Sequence, residues 1–102
     1  MLNVKFMSNL KTITDKKSIK LDIAEERSIE EILDLIGKEI NSNFEIVKKE
    51  KDHMILKLFI DIMGQKSYIT MRVKFLHNNE FINSDKKIKD GVLQILPLLG
   101  GG

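Results

Sequence analysis

The chain closes on Gln94-Ile95-Leu96-Pro97-Leu98-Leu99-Gly100-Gly101-Gly102, and the final triplet holds half of its six glycines. A terminal glycine run carries the highest ordering cost of any sequence and is expected to be flexible. It also has chemical uses. Lacking Cβ atoms, it can pass down a narrow channel and lie flat against another backbone. The carboxylate on Gly102 is unhindered, open to a nucleophile or to the α-phosphate of ATP. Extended chain spans about 3.3–3.6 Å per residue, so Pro97 to Gly102 would reach on the order of 20 Å into another protein. Pro97 cannot donate to a ladder, so it is expected to close the last strand and mark where the arm begins.

Other residues with chemical potential are dispersed. His53 and His77 stand far apart, each among polar neighbours, and read as surface or turn histidines rather than ligands. Glu25-Glu26 and Glu30-Glu31 suit a helix start, where carboxylates complement the dipole, better than paired acid–base work. Gly100 to Gly102 opens no helix and has no Lys behind it, so it is not a phosphate loop. No Ser/His/Asp set stands out. With no cysteine there is no disulfide, thiolate metal site or cysteine nucleophile. The expectation is a chain with no metal site and no internal active site, not catalytic alone.

The elements that would carry the tail can be read from periodicity. Leu2, Val4 and Phe6 alternate with Asn3, Lys5 and Met7, and Ile19, Leu21 and Ile23 alternate with Lys20 and Asp22. These predict an N-terminal antiparallel hairpin. Ser28-Ile29-Glu30-Glu31 is a capping-box pattern, followed by an apolar stripe at Ile29, Ile32, Leu33, Ile36 and Ile40. The helix is expected from 29 to between 36 and 41, with Gly37 either its cap or a cost within it. A short strand over 44–49 is followed by a strong hairpin signal. Met54, Leu56, Leu58, Ile60 and Ile62 share one face, and Ile69, Met71, Val73 and Phe75 share one face of the return strand, around a turn at Gly64-Gln65. Phe81-Ile82 suggests a short strand, Asp90-Gly91 a turn, and Val92 to Leu96 the last strand. The order predicts an α+β fold with one main helix on a mixed sheet. If the last strand pairs beside the first, this is the β-grasp, or ubiquitin-like, arrangement with an extra central hairpin. The expected division is one domain over 1–96 and a reactive tail over 97–102.

Composition narrows the function classes. The 102 residues suit one domain; 42% are apolar and 31% charged, a globular balance. Seventeen basic against fifteen acidic residues leave +2, too even to argue for nucleic acid. No stretch approaches the roughly 20 apolar residues of a membrane span. The start, MLNVKFMSNLK, has no signal-peptide pattern. A cytoplasmic protein is expected.

Taken together, these segments resemble the ubiquitin-like sulfur carriers (MoaD-like and ThiS-like proteins), nearest the small subunit of molybdopterin synthase. The resemblance rests on Val4 to Lys11, Thr14-Asp15-Lys16 and Ser18 to Leu21; on the capped helix from Ser28 to Ile36; and on Ile88-Lys89-Asp90-Gly91, the apolar strand, Pro97 and the terminal Gly-Gly. It spans roughly 2–36 and 73–102. Leu98 stands where the family usually has a second proline, the last strand is one residue shorter and lacks the usual acidic pair, and the 44–72 hairpin is additional.

The resemblance implies that a ubiquitin-activating-type enzyme adenylates Gly102 with ATP and that sulfur displaces AMP, leaving a thiocarboxylate. Gly101 and Gly100 would thread the enzyme channel, and Leu99 and Leu98 would anchor the arm beyond Pro97. No cofactor would be permanently bound; ATP belongs to the activating enzyme. Partners would be that enzyme and a sulfur-accepting synthase, such as a molybdopterin synthase large subunit, with Phe75 on the sheet as a docking candidate. The same activation would serve a ubiquitin-like modifier joined to lysines of target proteins. A β-grasp interaction module with an incidental tail is the other reading.

Overall fold

The computed structural model describes residues 1–98, apart from the side chains of Ile60 and Ile62. Strands β1 (Leu2–Phe6) and β2 (Ser18–Leu21) flank a short helix, α1 (Leu10–Thr14). A two-residue strand, β3 (Arg27–Ser28), leads into the main helix, α2 (Ile29–Glu39). Then follow β4 (Phe44–Lys49), β5 (Met54–Ile62), β6 (Gln65–His77), the short β7 (Glu80–Phe81) and β8 (Lys87–Ile88), and finally β9 (Gly91–Pro97).

One sheet runs in the order β2-β1-β9-β6-β5-β4, with β7 beside β6. It is mixed: β1 pairs parallel with β9 and antiparallel with β2. Strand parity sorts its faces. Leu2, Val4, Phe6, Ile19, Leu21, Met54, Leu56, Leu58, Val73, Phe75, Leu93 and Ile95 are buried with Ile29, Ile32, Leu33 and Ile36 of α2. This is the stripe that the helical spacing predicts, laid across one face of the sheet.

The start of α2 is fixed by a reciprocal cap. The Glu31 amide donates to Ser28 Oγ (3.2 Å), and the Ser28 amide donates to Glu31 Oε1 (3.3 Å). Arg27 Nη1 adds a bond to Glu31 Oε2 at 3.0 Å. Gly37 lies inside α2 rather than at its end. A Cβ there would stand 2.8 Å from Ser42 O, and the Ser42 amide donates to Gly37 O. The glycine lets the Ile40–Asn43 loop fold against the helix, and the left-handed turn falls at Asn41 (φ 55°).

The β5–β6 turn is Met63-Gly64, one residue earlier than the sequence pattern suggests. Both residues have positive φ, 52° and 83°, as a type I′ hairpin requires. At the sheet's outer edge a bulge falls between Ile46 and Lys48. It shifts strand parity so that Lys49, opposite the buried Met54, turns to the helix side and pairs with Glu30 at 2.6 Å. The inward placement expected of Ile60 and Ile62 concerns side chains outside the described residues.

Two measurements test the cap. Ser28→Ala is expected to lower unfolding stability by about 1 kcal/mol in urea titration. The carboxyl of Glu31 is held below its ordinary range, first by the Ser28 amide, then by Arg27 and the Ser28 hydroxyl. A lowered folded-state pKa means that the unfolded chain takes up the proton first. The contribution is therefore complete above the ordinary carboxylate pKa and is lost as pH falls through the folded-state value. The stability difference between the wild type and Glu31→Gln should shrink over that acid interval.

Candidate functional site at the end of the central strand

The strand that leads into the glycine tail is held on both sides. Along β1, Leu2 lies opposite Gly91 and Phe6 opposite Ile95, and the Met7 amide donates to Ile95 O at 3.1 Å. Along β6, His77 lies opposite Leu93 and Val73 opposite Pro97. The start of β9 is pinned at Gly91 (φ +97°), where a Cβ would stand 2.4 Å from Asn78 Oδ1. The Val92 amide donates to that oxygen at 3.0 Å, and the Asn78 amide donates to Val92 O at 2.9 Å. Next to it, His77 Nε2 donates to Asp90 O (2.6 Å). The Met1 amine lies 3.0 Å from Asp90 Oδ1 and, by hydrogen bond and charge, holds that carboxyl below its ordinary range.

Pro97 does not end the ladder. It is the last residue of β9 and is buried, and the Leu98 amide donates to Arg72 O at 2.8 Å. The alternation of an antiparallel pair explains the tolerance. Because Leu98 bonds toward β6, Pro97 turns its nitrogen to the other side, past the end of β1, where no donor is needed. Pro97 and Leu98 thus belong to the sheet, and the strand is longer at both ends than Val92 to Leu96. Leu99, Gly100, Gly101 and Gly102 lie outside the described residues.

Phe75 does not lie on the exposed face of the sheet, where the docking expectation put it. Its side chain is 1% exposed, in the core beneath α2. The alternation that puts Lys74 outside must put Phe75 inside. The face opposite α2 is formed instead by Lys5, Gln94 and Leu76 in one row, Leu96 and Lys74 in the next, then Leu98, Arg72 and Ile55, then Thr70 and Lys57. Aromatic groups accompany these cations. Lys57 Nζ lies 4.0 Å from the Tyr68 ring centroid and 5.6 Å from that of Phe59, and Lys74 Nζ lies 5.4 Å from that of Phe81. Tyr68 and Phe81 are 57% and 64% exposed. Sequence reasoning expected partners to dock on the exposed sheet face but nominated Phe75 for it, although the parity of Lys57, Arg72 and Lys74 marks the residues that form it.

The remaining candidates are not gathered. His53 Nδ1 pairs with Asp52 Oδ1 at 2.8 Å, whereas His77 serves the Asp90 turn. The His53 bond is the first cause of a lowered Asp52 carboxyl pKa. Glu30 and Glu31 are engaged by Lys49 and by the cap. Among the described residues no three His, Cys, Asp or Glu groups are placed to hold a metal ion, and no helix is long and apolar enough to cross a membrane. A groove of about 830 Å³ lies between α1, the end of α2 and the β5–β6 hairpin, where Ile13, Ile40 and Leu58 mix with Asp34, Lys38 and Lys66. Comparison of the chain with family models, with curated proteins and with solved structures returns no match.

Phe75→Ala is expected to cost about 3–5 kcal/mol of unfolding stability, the loss typical of a buried phenylalanine. A residue that served only to dock a partner would leave the unfolding curve where it is.

Proposed function

We propose that the chain is a ubiquitin-like sulfur carrier of β-grasp architecture, acting in molybdopterin biosynthesis. The observation that carries the reading is the place of β9. The last strand pairs parallel with the first at the centre of the sheet, with α2 across one face. The glycine tail is therefore attached to a strand paired on both sides. Leu98, the last of the described residues, is tied to the sheet through Arg72 O, and the four residues after it would span roughly 13–14 Å if extended.

The chemistry follows from the carboxylate. A carboxylate is a poor electrophile at neutral pH. In the proposed reaction Gly102 attacks the α-phosphate of ATP on the activating enzyme, pyrophosphate leaves, and the acyl-adenylate then holds AMP as a good leaving group. Sulfide displaces AMP and leaves the thiocarboxylate directly. A persulfide displaces AMP to give an acyl disulfide, from which a thiol releases the thiocarboxylate while the two remaining sulfurs leave as a disulfide. The tethered sulfur then acts at high local concentration in the synthase. Gly100 and Gly101 pass the channel, and Leu99 supplies an apolar anchor. The uncovered sheet face, with Leu96 and Leu98 among Arg72, Lys74 and Lys57, is the surface on which the activating enzyme and the synthase would close. Conjugation to lysines of target proteins uses the same adenylate and differs only in the final nucleophile.

Intact-mass analysis after incubation with a ubiquitin-activating-type enzyme, ATP and a sulfur donor tests the reading. The expected result is a gain matching one oxygen-to-sulfur exchange, abolished by deletion of Gly102. Lysine-linked conjugates without a thiocarboxylate would favour the modifier, and unchanged mass with no conjugates would favour an interaction module.

A further inference from the structure

The sheet ends at β4, which pairs with β5 on one side and, among the described residues, with no strand on the other. Register decides which of its backbone groups look outward. The Phe59 amide donates to Asn43 O at 3.3 Å, and Glu45 lies opposite Lys57. In an antiparallel ladder, residues bonded to the neighbour alternate with residues whose N–H and C=O groups point away. Asn43 and Glu45 therefore face β5, while Phe44 and Ile46 turn their groups to the open edge. Among the described residues no backbone group bonds to Phe44 or Ile46 along that edge. The edge is also remote from the end of β9. A strand laid along it would stand four spacings from Leu98, about 19 Å across the sheet. Residues 99–102 span at most about 14 Å, so they do not decide whether the edge is open.

Beside this edge, a groove of about 460 Å³ runs between β4 and α2. Its floor is apolar: Leu33 is buried, and Phe44 and Ile46 are half-buried against the core. Its rim is acidic, with Glu30, Glu31, Asp34 and Glu45. Glu30 and Glu31 are already engaged by Lys49 and Arg27. Asp34 and Glu45 take part in no ion pair among the described residues.

We propose that this edge and groove are a strand-addition site for an extended segment of another protein in which apolar and basic residues are interleaved. The outward groups of Phe44 and Ile46 supply main-chain bonds. The floor takes apolar side chains, and the unpaired carboxylates of Asp34 and Glu45 select cations over anions. A second copy of the chain fits less well. Antiparallel self-pairing of β4 would set Lys48 against Glu45 only by placing the bulge of each copy at the two-fold axis. The site uses neither β9 nor Gly102, so it stands or falls apart from the carrier reading.

NMR titration of the full chain with a blocked seven-residue peptide, in which lysine alternates with valine, tests this. Saturable shifts are expected at Asp34, Phe44 and Ile46. The Phe44 and Ile46 amides should exchange at least about twofold slower in the complex, while the Glu45 amide, turned to β5, keeps its rate. The matching glutamate–valine peptide is expected to leave these signals in place. Asp34→Lys combined with Glu45→Lys replaces two exposed residues. It should weaken the lysine peptide by at least about threefold, with the signals of Val4 and Leu93 unmoved as a check of the fold. Equal binding of both peptides, or no saturable shift at millimolar peptide, would overturn the proposal. Protection of Phe44 and Ile46 in the chain alone that fades on dilution would also overturn it, because a second copy would then be the occupant.

Discussion

The parallel ladder between β1 and β9 is the constraint on which the rest of the molecule depends. It joins residues 2–6 to residues 91–95, so it cannot form locally. A parallel pair needs a crossover, and here nearly the whole chain lies between the two strands. The ladder sets β9 between β1 and β6, turns Leu93 and Ile95 into the core with Val4 and Phe6, and gives α2 a continuous apolar floor. Gly91, seated against Asn78 with positive φ, fixes where the ladder starts. It ends at Phe6 and Ile95, and Pro97 is tolerated two residues further on because its nitrogen faces past the end of β1.

This constraint divides the surface into two unlike regions. One sheet face is spent on α2. The other is left uncovered by the described residues and pairs aliphatic residues of β9 with cations of β1, β5 and β6, while the exposed rings of Tyr68 and Phe81 lie under lysine ammonium groups. Cations set over aromatic rings keep a hydrophobic face hydrated while leaving it able to bury area against a partner. The long hairpin adds to this face and carries β6 beyond the reach of β9.

The elements legible in the sequence were those with a local cause. The α2 helix was readable because Ser28 and Glu31 make a cap and Ile29, Ile32, Leu33 and Ile36 recur at helical spacing. The β5–β6 hairpin was readable because its strands alternate over many residues. α1 was not. Its segment, LKTIT, holds three β-branched residues, and its N-cap makes no side-chain bond, so burial of Leu10 is what secures it. The bridge between Arg27–Ser28 and Lys87–Ile88 is two residues long and exists only because distant segments meet. Strand order was likewise invisible, since periodicity reports which face is buried and not which strand is adjacent. At the candidate site, Gly91 and the approach to the tail were legible from residue type. The inward side of Phe75 followed from alternation with Lys74. The continuation of the ladder through Pro97 to Leu98 depended on β1 ending at Phe6, which no local pattern records.

The central claim is that Gly102 carries the carboxylate on which an adenylating enzyme acts. Exchange of labelled pyrophosphate into ATP, measured with a ubiquitin-activating-type enzyme and this chain, reads that step without need of a sulfur donor or synthase. The account predicts exchange that depends on the full chain and disappears for a chain ending at Gly101. Equal exchange with both chains, or none with either, would contradict it.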